Sequence, residues 1–386
     1  MALPTGKRIA FAAAAAVISI ALSLAAAEGV LRLRYETIAQ ITGVTEWQTA
    51  QFQGLTYHWD QYHPRYGWTN RPGYRSDASL PFQVAINEQG LRGTRELAPH
   101  PQPGIRRIAF FGDSLAFGED VGDAQTVPHY LEERLADSQV LNFGVHGYGL
   151  GQMALRLEDE AFALHPDHLV VMLMVPRDLF RDLKRHFVHA KPVFGVRDGE
   201  LTIGNLPVPT ASQQPWLHRH SFTAAFLFAR ATAEAPAADP GLPIQVGQQL
   251  LRRMRTRAAA EGIPLTLVNV SNALDLHRLR AAPEERAQLD ALRAALALPE
   301  LDVLDLIDFL DERMLAEGPS LATASWHWSA RANCLIAAEI ANHFDRVDPA
   351  WSVPRDVATC PSLRPGPRSG IDLGAMESSD PAMLRP

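Results

Sequence analysis

The sequence predicts a three-layer α/β/α domain built on a five-stranded parallel sheet, and two patterns support this prediction. From residue 105 onward, short apolar runs alternate with segments of helical periodicity, as in a parallel sheet covered by helices on both faces. The apolar run 107–111 also stops at Gly112 and is followed by Ser114, as at the carboxyl edge of such a sheet, where open α/β folds build their sites. The predicted strands are 107–111, 139–142, 168–174, 264–270 and 302–306, and the predicted helices are 124–136, 151–163, 245–261, 282–295 and 329–344.

Residues 1–34 are predicted to anchor the chain in a membrane. Lys7 and Arg8 precede residues 9–27, an uncharged stretch of 19 residues, which is just long enough to span a bilayer. The positive residues on its amino side favour a cytoplasmic N-terminus with the rest of the chain translocated. Small residues at 25–27 also fit a peptidase site, so secretion after cleavage of a signal peptide remains the alternative to an uncleaved anchor.

The basic residues of the chain are mostly arginine. Only three of the 36 are lysine, and alanine is abundant, which is typical of proteins from GC-rich bacterial genomes. We therefore expect a bacterial protein. Together with the apolar segment 9–27, this predicts a location in the inner membrane, with the main domain in the periplasm or outside the cell.

The rest of the chain divides by composition into three parts. Residues 35–104 are interpreted as a stalk and a small subregion rich in turns, because 61–100 contain many Tyr, Pro, Gly and Arg residues. The main domain is predicted to run over 105–346, with an insertion of about 186–244 that lies near the site or over it. The Pro-rich tail 347–386 is expected to be mostly extended or disordered.

Charge and cysteine usage exclude several classes of function. A net charge of −7, a pI near 6.1 and the lack of a basic block argue against a nucleic-acid partner. Cys334 and Cys360 lack metal-ligand spacing, and they either form a disulfide in an exported protein or remain separate thiols. No metal or cofactor is expected, because the histidines are scattered. The nearest group of histidines, interpreted as surface residues, is His186, His189, His218 and His220.

Ser114 is the candidate nucleophile. A buried strand that breaks at Gly112 and presents a serine before a helix exposes its hydroxyl for attack, although an ordinary helix cap has the same pattern. Ser114 needs a base at neutral pH, and His327, just before the last predicted helix, is the best candidate. The backbone N–H groups of Ser114 and Gly147 are expected to hold the oxyanion. The neighbours of Gly147, His146 and Tyr148, either shape the substrate pocket or are surface loop residues.

Three motifs in order resemble those of the SGNH (GDSL-type) hydrolases. Phe111-Gly112-Asp113-Ser114-Leu115 is similar to block I, which carries the nucleophile, and 142–149 is similar to block II, in which Gly147 takes the place of the oxyanion glycine. Trp326-His327-Trp328-Ser329 resembles the block V histidine motif. Over roughly residues 60–345 the resemblance implies a flavodoxin-like fold and a carboxylic ester hydrolase. Residues 66–68 and 87–93 also resemble the membrane-anchored bacterial members.

Block III departs from the family pattern. The family has an asparagine there that donates to the oxyanion, and Arg177 occupies its place. A guanidinium can donate in the same way, or Arg177 can pair with Asp178 or Asp182 and contribute nothing to catalysis. Asp113 and Asp178 are expected to support the site.

Block V also departs from the pattern, because Ala324 and Ser325 stand where the family has its aspartate. Three outcomes remain open. A backbone carbonyl of loop 323–326 accepts a hydrogen bond from Nδ1–H of His327 in a Ser-His dyad, a carboxylate from elsewhere such as Asp178 replaces the aspartate, or the site is inactive. Loss of the orienting aspartate costs about four orders of magnitude in rate in a serine protease.

These observations favour a membrane-anchored, extracytoplasmic serine esterase or deacylase that acts through an acyl-enzyme on an acylated glycan or a small ester. An O-acyltransferase of envelope or exported polysaccharide would use the same chemistry. A degenerate domain that binds a glycan or scaffolds envelope or polysaccharide-export proteins is the non-enzymatic alternative. Trp326 and Trp328 suit sugar stacking, but packing is the favoured interpretation.

Overall fold

The structure is a computed structural model that describes residues 5–36, 38, 41, 51–52, 55–56, 59–78, 82–210, 213, 215–232, 239–348, 351 and 359–361. Its strands are β1 Gln51–Phe52, β2 Leu55–Thr56, β3 Asp60–His63, β4 Gly67–Asn70, β5 Arg106–Gly112, β6 Ser138–Asn142, β7 His168–Met174, β8 Val193–Arg197, β9 Glu200–Gly204, β10 Leu265–Val270 and β11 Asp302–Asp305. Its α-helices are α1 Thr5–Arg34, α2 Ser114–Phe117, α3 Val127–Arg134, α4 Leu150–Glu160, α5 Arg177–Asp182, α6 Trp216–His220, α7 Phe222–Thr232, α8 Leu242–Ala260, α9 Ala273–Ala281, α10 Pro283–Leu296, α11 Ile307–Glu317 and α12 Ala330–Val347.

Five parallel strands form the central sheet in the order β11-β10-β7-β5-β6. Counted along the chain this is the 2-1-3-4-5 order of the flavodoxin-like fold. Every residue of β7 and β10 is buried, which explains why both strands are mostly apolar and do not alternate, with Thr266 and Asn269 as the polar residues inside β10. Helices α3 and α12 pack against each other on one side, and α4 packs against α8 on the other. The predicted α/β/α class and its five parallel strands are confirmed.

The segment before the sheet contributes side chains to the same apolar core. Strands β3 and β4 form an antiparallel hairpin, and Trp59, Tyr66 and Trp68 of this region are buried with the residues of the sheet. The indole N–H of Trp68 donates to the backbone carbonyl of His146 (3.0 Å) in the loop after β6. The hairpin therefore packs directly on a loop at the carboxyl edge of the sheet.

The insertion after α5 contains two units with different neighbours. Strands β8 and β9 form an antiparallel hairpin that packs on α8, whereas α7 packs on α1. Among the described residues, α1 is the one helix long and apolar enough to cross a membrane, with a mean hydropathy of 2.4 over its most apolar 18-residue window and no buried residue in that window.

Cys334 and Cys360 form a disulfide with a Cα–Cα distance of 5.6 Å, so the two thiols pair. The bridge ties α12 to residues 359–361. Most of the predicted Pro-rich tail, residues 352–358 and 362–386, lies outside the described residues, as does most of the predicted stalk between 37 and 58.

Candidate active site

A tight strand-to-helix turn presents Ser114. Strand β5 ends at Gly112, where an added Cβ would lie 2.5 Å from the Cβ of Ala116 and 2.9 Å from the carbonyl oxygen of Met172. Asp113 caps α2 by accepting a hydrogen bond from a backbone amide of its first turn (2.9 Å). Only glycine fits where the chain reverses, and the reversal places Ser114 at the start of a short helix at the carboxyl edge of the sheet.

His327 lies against this serine. Its Nε2 is 3.0 Å from Oγ of Ser114, within hydrogen-bonding reach of a nucleophile and its base. The amide of Thr323 donates to the carbonyl of His327 (2.8 Å), and the indole of Trp328 donates to the carbonyl of Ser271 (3.1 Å). These bonds fix the loop that carries the imidazole.

The carboxylate at the other side of the imidazole comes from Asp120. Its Oδ2 lies 3.1 Å from Nδ1 of His327 and accepts hydrogen bonds from the hydroxyls of Thr323 (2.7 Å) and Ser325. The predicted alternative, Asp178, does not occupy this place, and neither does a backbone carbonyl. Asp120 stands six residues after Ser114 in the chain and has a φ of +69°, so a left-handed turn aims its side chain back at the histidine.

The charges around the imidazole are arranged to stabilise its protonated form. Burial alone would lower the pKa of His327, but the nearby Glu119 charge, together with the hydrogen bond and charge of Asp120, raises it. Glu119 is buried, with its Oε2 3.6 Å from Nε2 of the ring. For Asp120, burial alone would raise the pKa, but the hydrogen bond and charge of His327 and two hydroxyl donors lower it.

The two predicted oxyanion amides belong to neighbouring loops. Strands β5 and β6 pair, and the amide of Val145 donates to the carbonyl of Gly112 (3.1 Å), which joins the loops beyond them. Gly147 has a φ of +71°, and an added Cβ would lie 2.8 Å from a methyl group of Val188. Within the described part of the chain, the N–H groups of Ser114 and Gly147 donate to no acceptor, as expected of donors reserved for a substrate.

Arg177 is held by a carboxylate in the first turn of α9. Its Nε and Nη2 donate to the two oxygens of Asp275 at 2.5 and 2.6 Å. Pairing with a carboxylate was one of the two expectations for Arg177, but the partner is Asp275 instead of the predicted Asp178 or Asp182. Asp182 accepts from the amide of Gly151 (3.0 Å) at the start of α4, and burial raises its pKa to about 7.

Asp113 and Asp178 belong to a buried network beneath the site. Nη1 of Arg181 donates to Asp113 Oδ2 (2.9 Å), to Asp178 Oδ1 (2.7 Å) and to the carbonyl of Tyr148 (2.9 Å). The other oxygen of Asp178 accepts from the amide of Met174 (2.8 Å). Burial, and then the charge of Asp113, raises the pKa of Asp178 well above its usual range. One arginine therefore links the serine turn to the loop that carries Gly147.

A second buried group also holds that loop in place. Oδ2 of Asp60, on β3, lies 2.7 Å from Nε2 of His146 and 3.0 Å from Nε2 of His189. All three residues are buried, so the interpretation of His189 as a surface residue is wrong, and His146 is not a surface loop residue. Burial alone would lower the pKa of His146, but the charge and hydrogen bond of Asp60 raise it. Tyr148 is also buried, and its hydroxyl donates to the carbonyl of Trp68 (2.5 Å).

The aromatic residues beside His327 are packing residues. Trp326 and Trp328 are 6% and 1% exposed, which leaves no ring face open for a sugar. Among the described residues, no group of three or more His, Cys, Asp or Glu side chains is arranged to hold a metal ion.

Comparison with known protein families and with curated sequences gives no match. Solved structures do resemble the chain at low identity. A lipolytic protein of the G-D-S-L family from Veillonella parvula is 15% identical, with a TM-score of 0.37 over 63% of this chain and 100% of that one. A lipase/acylhydrolase from Enterococcus faecalis is also 15% identical, with a TM-score of 0.37 over 63% of this chain and 96% of that one. A two-domain esterase active on acetylated mannans is 14% identical, with a TM-score of 0.37, and the match spans 67% of this chain and 52% of that esterase.

Proposed function

We propose that this chain is an SGNH-type serine esterase or deacylase. The observation that supports the proposal is the continuous line of contacts from Ser114 Oγ through His327 to Asp120, at 3.0 and 3.1 Å. A nucleophile, a base and an orienting carboxylate in this geometry form a catalytic triad, whatever their order in the chain. The carboxylate also argues against the degenerate, non-enzymatic alternative.

The proposed reaction runs in two steps. His327 takes the hydroxyl proton as Oγ of Ser114 attacks the ester carbonyl, while the amides of Ser114 and Gly147 receive the developing oxyanion. The ester C–O bond then breaks, the alkoxide leaving group takes this proton from His327, and the acyl group stays on the serine. In the second step His327 takes a proton from water as the water oxygen attacks the acyl carbon. The bond to Ser114 Oγ then breaks, His327 returns the proton to Oγ, and the acid leaves. Asp120 holds the imidazole in the required tautomer and stabilises its positive form throughout.

For the acceptor and the compartment we propose the following. The substrate class is a small acyl ester or an acylated glycan, and a sugar hydroxyl in place of water would make the same acyl-enzyme an O-acyltransferase.

Helix α1 is proposed to be an uncleaved anchor that leaves the domain on the periplasmic side, supported by Lys7 and Arg8 on its amino side and by its apolar length. The intact mass of protein extracted from membranes tests the anchor, because cleavage after Ala27 would remove the first 27 residues.

Hydrolysis by the full chain in detergent tests the proposed activity. The substrates are p-nitrophenyl acetate and butyrate, followed by an O-acetylated oligosaccharide with and without a free sugar acceptor. We expect Ser114→Ala to abolish turnover, and Ser138→Ala, on a serine at the opposite edge of the sheet, to leave it unchanged. Equal turnover by the wild type and Ser114→Ala would overturn the proposal. Acetylated acceptor detected by mass spectrometry would assign the transferase form.

A further inference from the structure

Helix α1 is longer than a bilayer core requires. Its 30 residues extend about 45 Å at about 1.5 Å per residue, against a hydrocarbon core of about 30 Å. The uncharged stretch 9–27 fills the core, and Glu28 is the first charged residue after it. If α1 crosses a membrane, as proposed above, its last two turns therefore lie in the interfacial layer on the side of the folded domain.

Glu28 binds the beginning of α7. Its carboxylate accepts from the hydroxyl of Ser221 (2.9 Å) and from the amides of Phe222 (3.1 Å) and Thr223 (2.8 Å). These amides are the free donors at a helix N-terminus, where a negative charge is favourable. The guanidinium of Arg32, one turn further along α1, lies 4.8 Å from the ring of Phe222. Helix α7 therefore begins at the level of the membrane boundary.

The helical pair α6–α7 presents large apolar side chains outward. Phe222 and Ala225 are buried, but Trp216, Leu217, Leu227 and Phe228 are 66%, 55%, 57% and 36% exposed. Outside α1, these four are the majority of the seven large apolar residues that are exposed in the described part of the chain. Phe228 stacks on His218 of α6 (ring centroids 4.4 Å apart), so the exposed apolar side chains of the two helices are neighbours. An apolar patch of this kind marks an interaction site.

The chemistry of the pair matches a phospholipid surface. Tryptophan is enriched at the boundary between lipid and water, and the exposed Arg219 and Arg230 suit anionic headgroups. We propose that α6 and α7 lie flat in the interfacial layer of the bilayer that α1 crosses, with Trp216, Leu217, Leu227 and Phe228 inserted at the edge of the acyl chains. The segment of about 186–244 thus holds the domain against the membrane at a second place. The same segment contains Val188, a methyl group of which lies next to Gly147.

Spin-label depth measurements on the full chain test this proposal without using activity. The chain has two cysteines, and they form a disulfide, so Leu227→Cys provides one labelling site. Leu315→Cys is the matched control, because Leu315 is an exposed leucine (67%) on α11, away from α1. Both variants are labelled and placed in nanodiscs of phosphatidylcholine with phosphatidylglycerol, and collisions with oxygen and with a water-soluble nickel chelate are compared.

We expect the ratio of oxygen to nickel collisions to be several-fold higher at 227 than at 315. Equal ratios, both typical of water, would overturn the proposal. A label at 227 that is shielded from both reagents would also overturn it, because a protein partner or a second copy would then cover the face. A second readout is Trp216 fluorescence, for which brominated lipids should quench a component that is missing in Trp216→Phe. Neither readout depends on hydrolysis, so failure here is distinct from failure of the esterase proposal.

Discussion

The exchange of Asp120 for asparagine probes the least expected part of the site. Asparagine keeps the size of the side chain but removes the charge 3.1 Å from Nδ1 of His327. The amide also competes to donate to Nδ1, which favours the wrong tautomer of the imidazole. We expect Ser114 to keep its place, because its turn is held by β5 and Asp113, and to lose an effective base.

The size of the effect follows from the charge pair. The side chains of His327 and Asp120 are 19% and 15% exposed, so an effective dielectric constant of about 20 applies, and two charges about 4 Å apart then interact by about 4 kcal/mol. That energy corresponds to a factor of about 1,000 in rate, and the wrong tautomer extends the loss towards the roughly 10,000-fold of a serine protease. Glu119 stays in place and keeps part of the stabilisation. We therefore expect kcat/KM to fall by about three to four orders of magnitude.

The assay is hydrolysis of p-nitrophenyl acetate under kcat/KM conditions, with thermal unfolding measured alongside. Asp198→Asn is the matched control, because Asp198 also has a positive φ (+53°) but is exposed in the β8–β9 turn. It should leave both activity and stability unchanged. If Asp120→Asn keeps its activity within about tenfold of the wild type while folding normally, the orienting role of Asp120 is refuted, because one tenfold step is only about 1.4 kcal/mol.

Three further predictions concern the same loop and the tail. The acidic limb of the pH profile of kcat/KM should have its midpoint above pH 6.5, the ordinary pKa of histidine. The reason is that Glu119 and Asp120 raise the pKa of His327 against the effect of burial, and only the neutral ring acts as a base. A midpoint at or below 6.5 contradicts this. Ser325→Asp in the Asp120→Asn background should recover part of the lost rate, because Oγ of Ser325 is 3.0 Å from Nδ1, and no gain over the single variant counts against it. Replacing Cys334 and Cys360 by serine opens a bridge across 26 residues and should lower the free energy of unfolding by about 3–4 kcal/mol, so an unchanged denaturation midpoint would show that the bridge contributes no stability.

The sheet and the ends of its strands could be predicted because they depend on local pattern. β7 and β10 are buried on both faces, so these mostly apolar segments stand out. The carboxyl-edge rule then brings the loops of Ser114 and Gly147 together. His327 could be identified by its place just before the last helix, and the structure has it in the loop between α11 and α12. None of these inferences requires knowledge of a distant contact.

Asp120 could not be predicted in the same way. Its side chain reaches the imidazole because of one left-handed residue in a loop, and no periodicity in the sequence marks that turn. The contact between Asp60 and His189 joins residues 129 positions apart, and the contact between Glu28 and α7 spans a still longer stretch of chain. Such pairs depend on how the hairpin and the insertion pack, which pattern alone does not specify.

Labelling with a fluorophosphonate tests the central claim most directly. The full chain in detergent is treated with the reagent, and its intact mass is compared with those of Ser114→Ala and His327→Ala. The account predicts a single adduct on the wild type, none on Ser114→Ala, and a greatly slowed reaction on His327→Ala. No adduct on the folded wild type, under conditions that fully label an active serine esterase, would contradict it, as would an adduct that persists in Ser114→Ala.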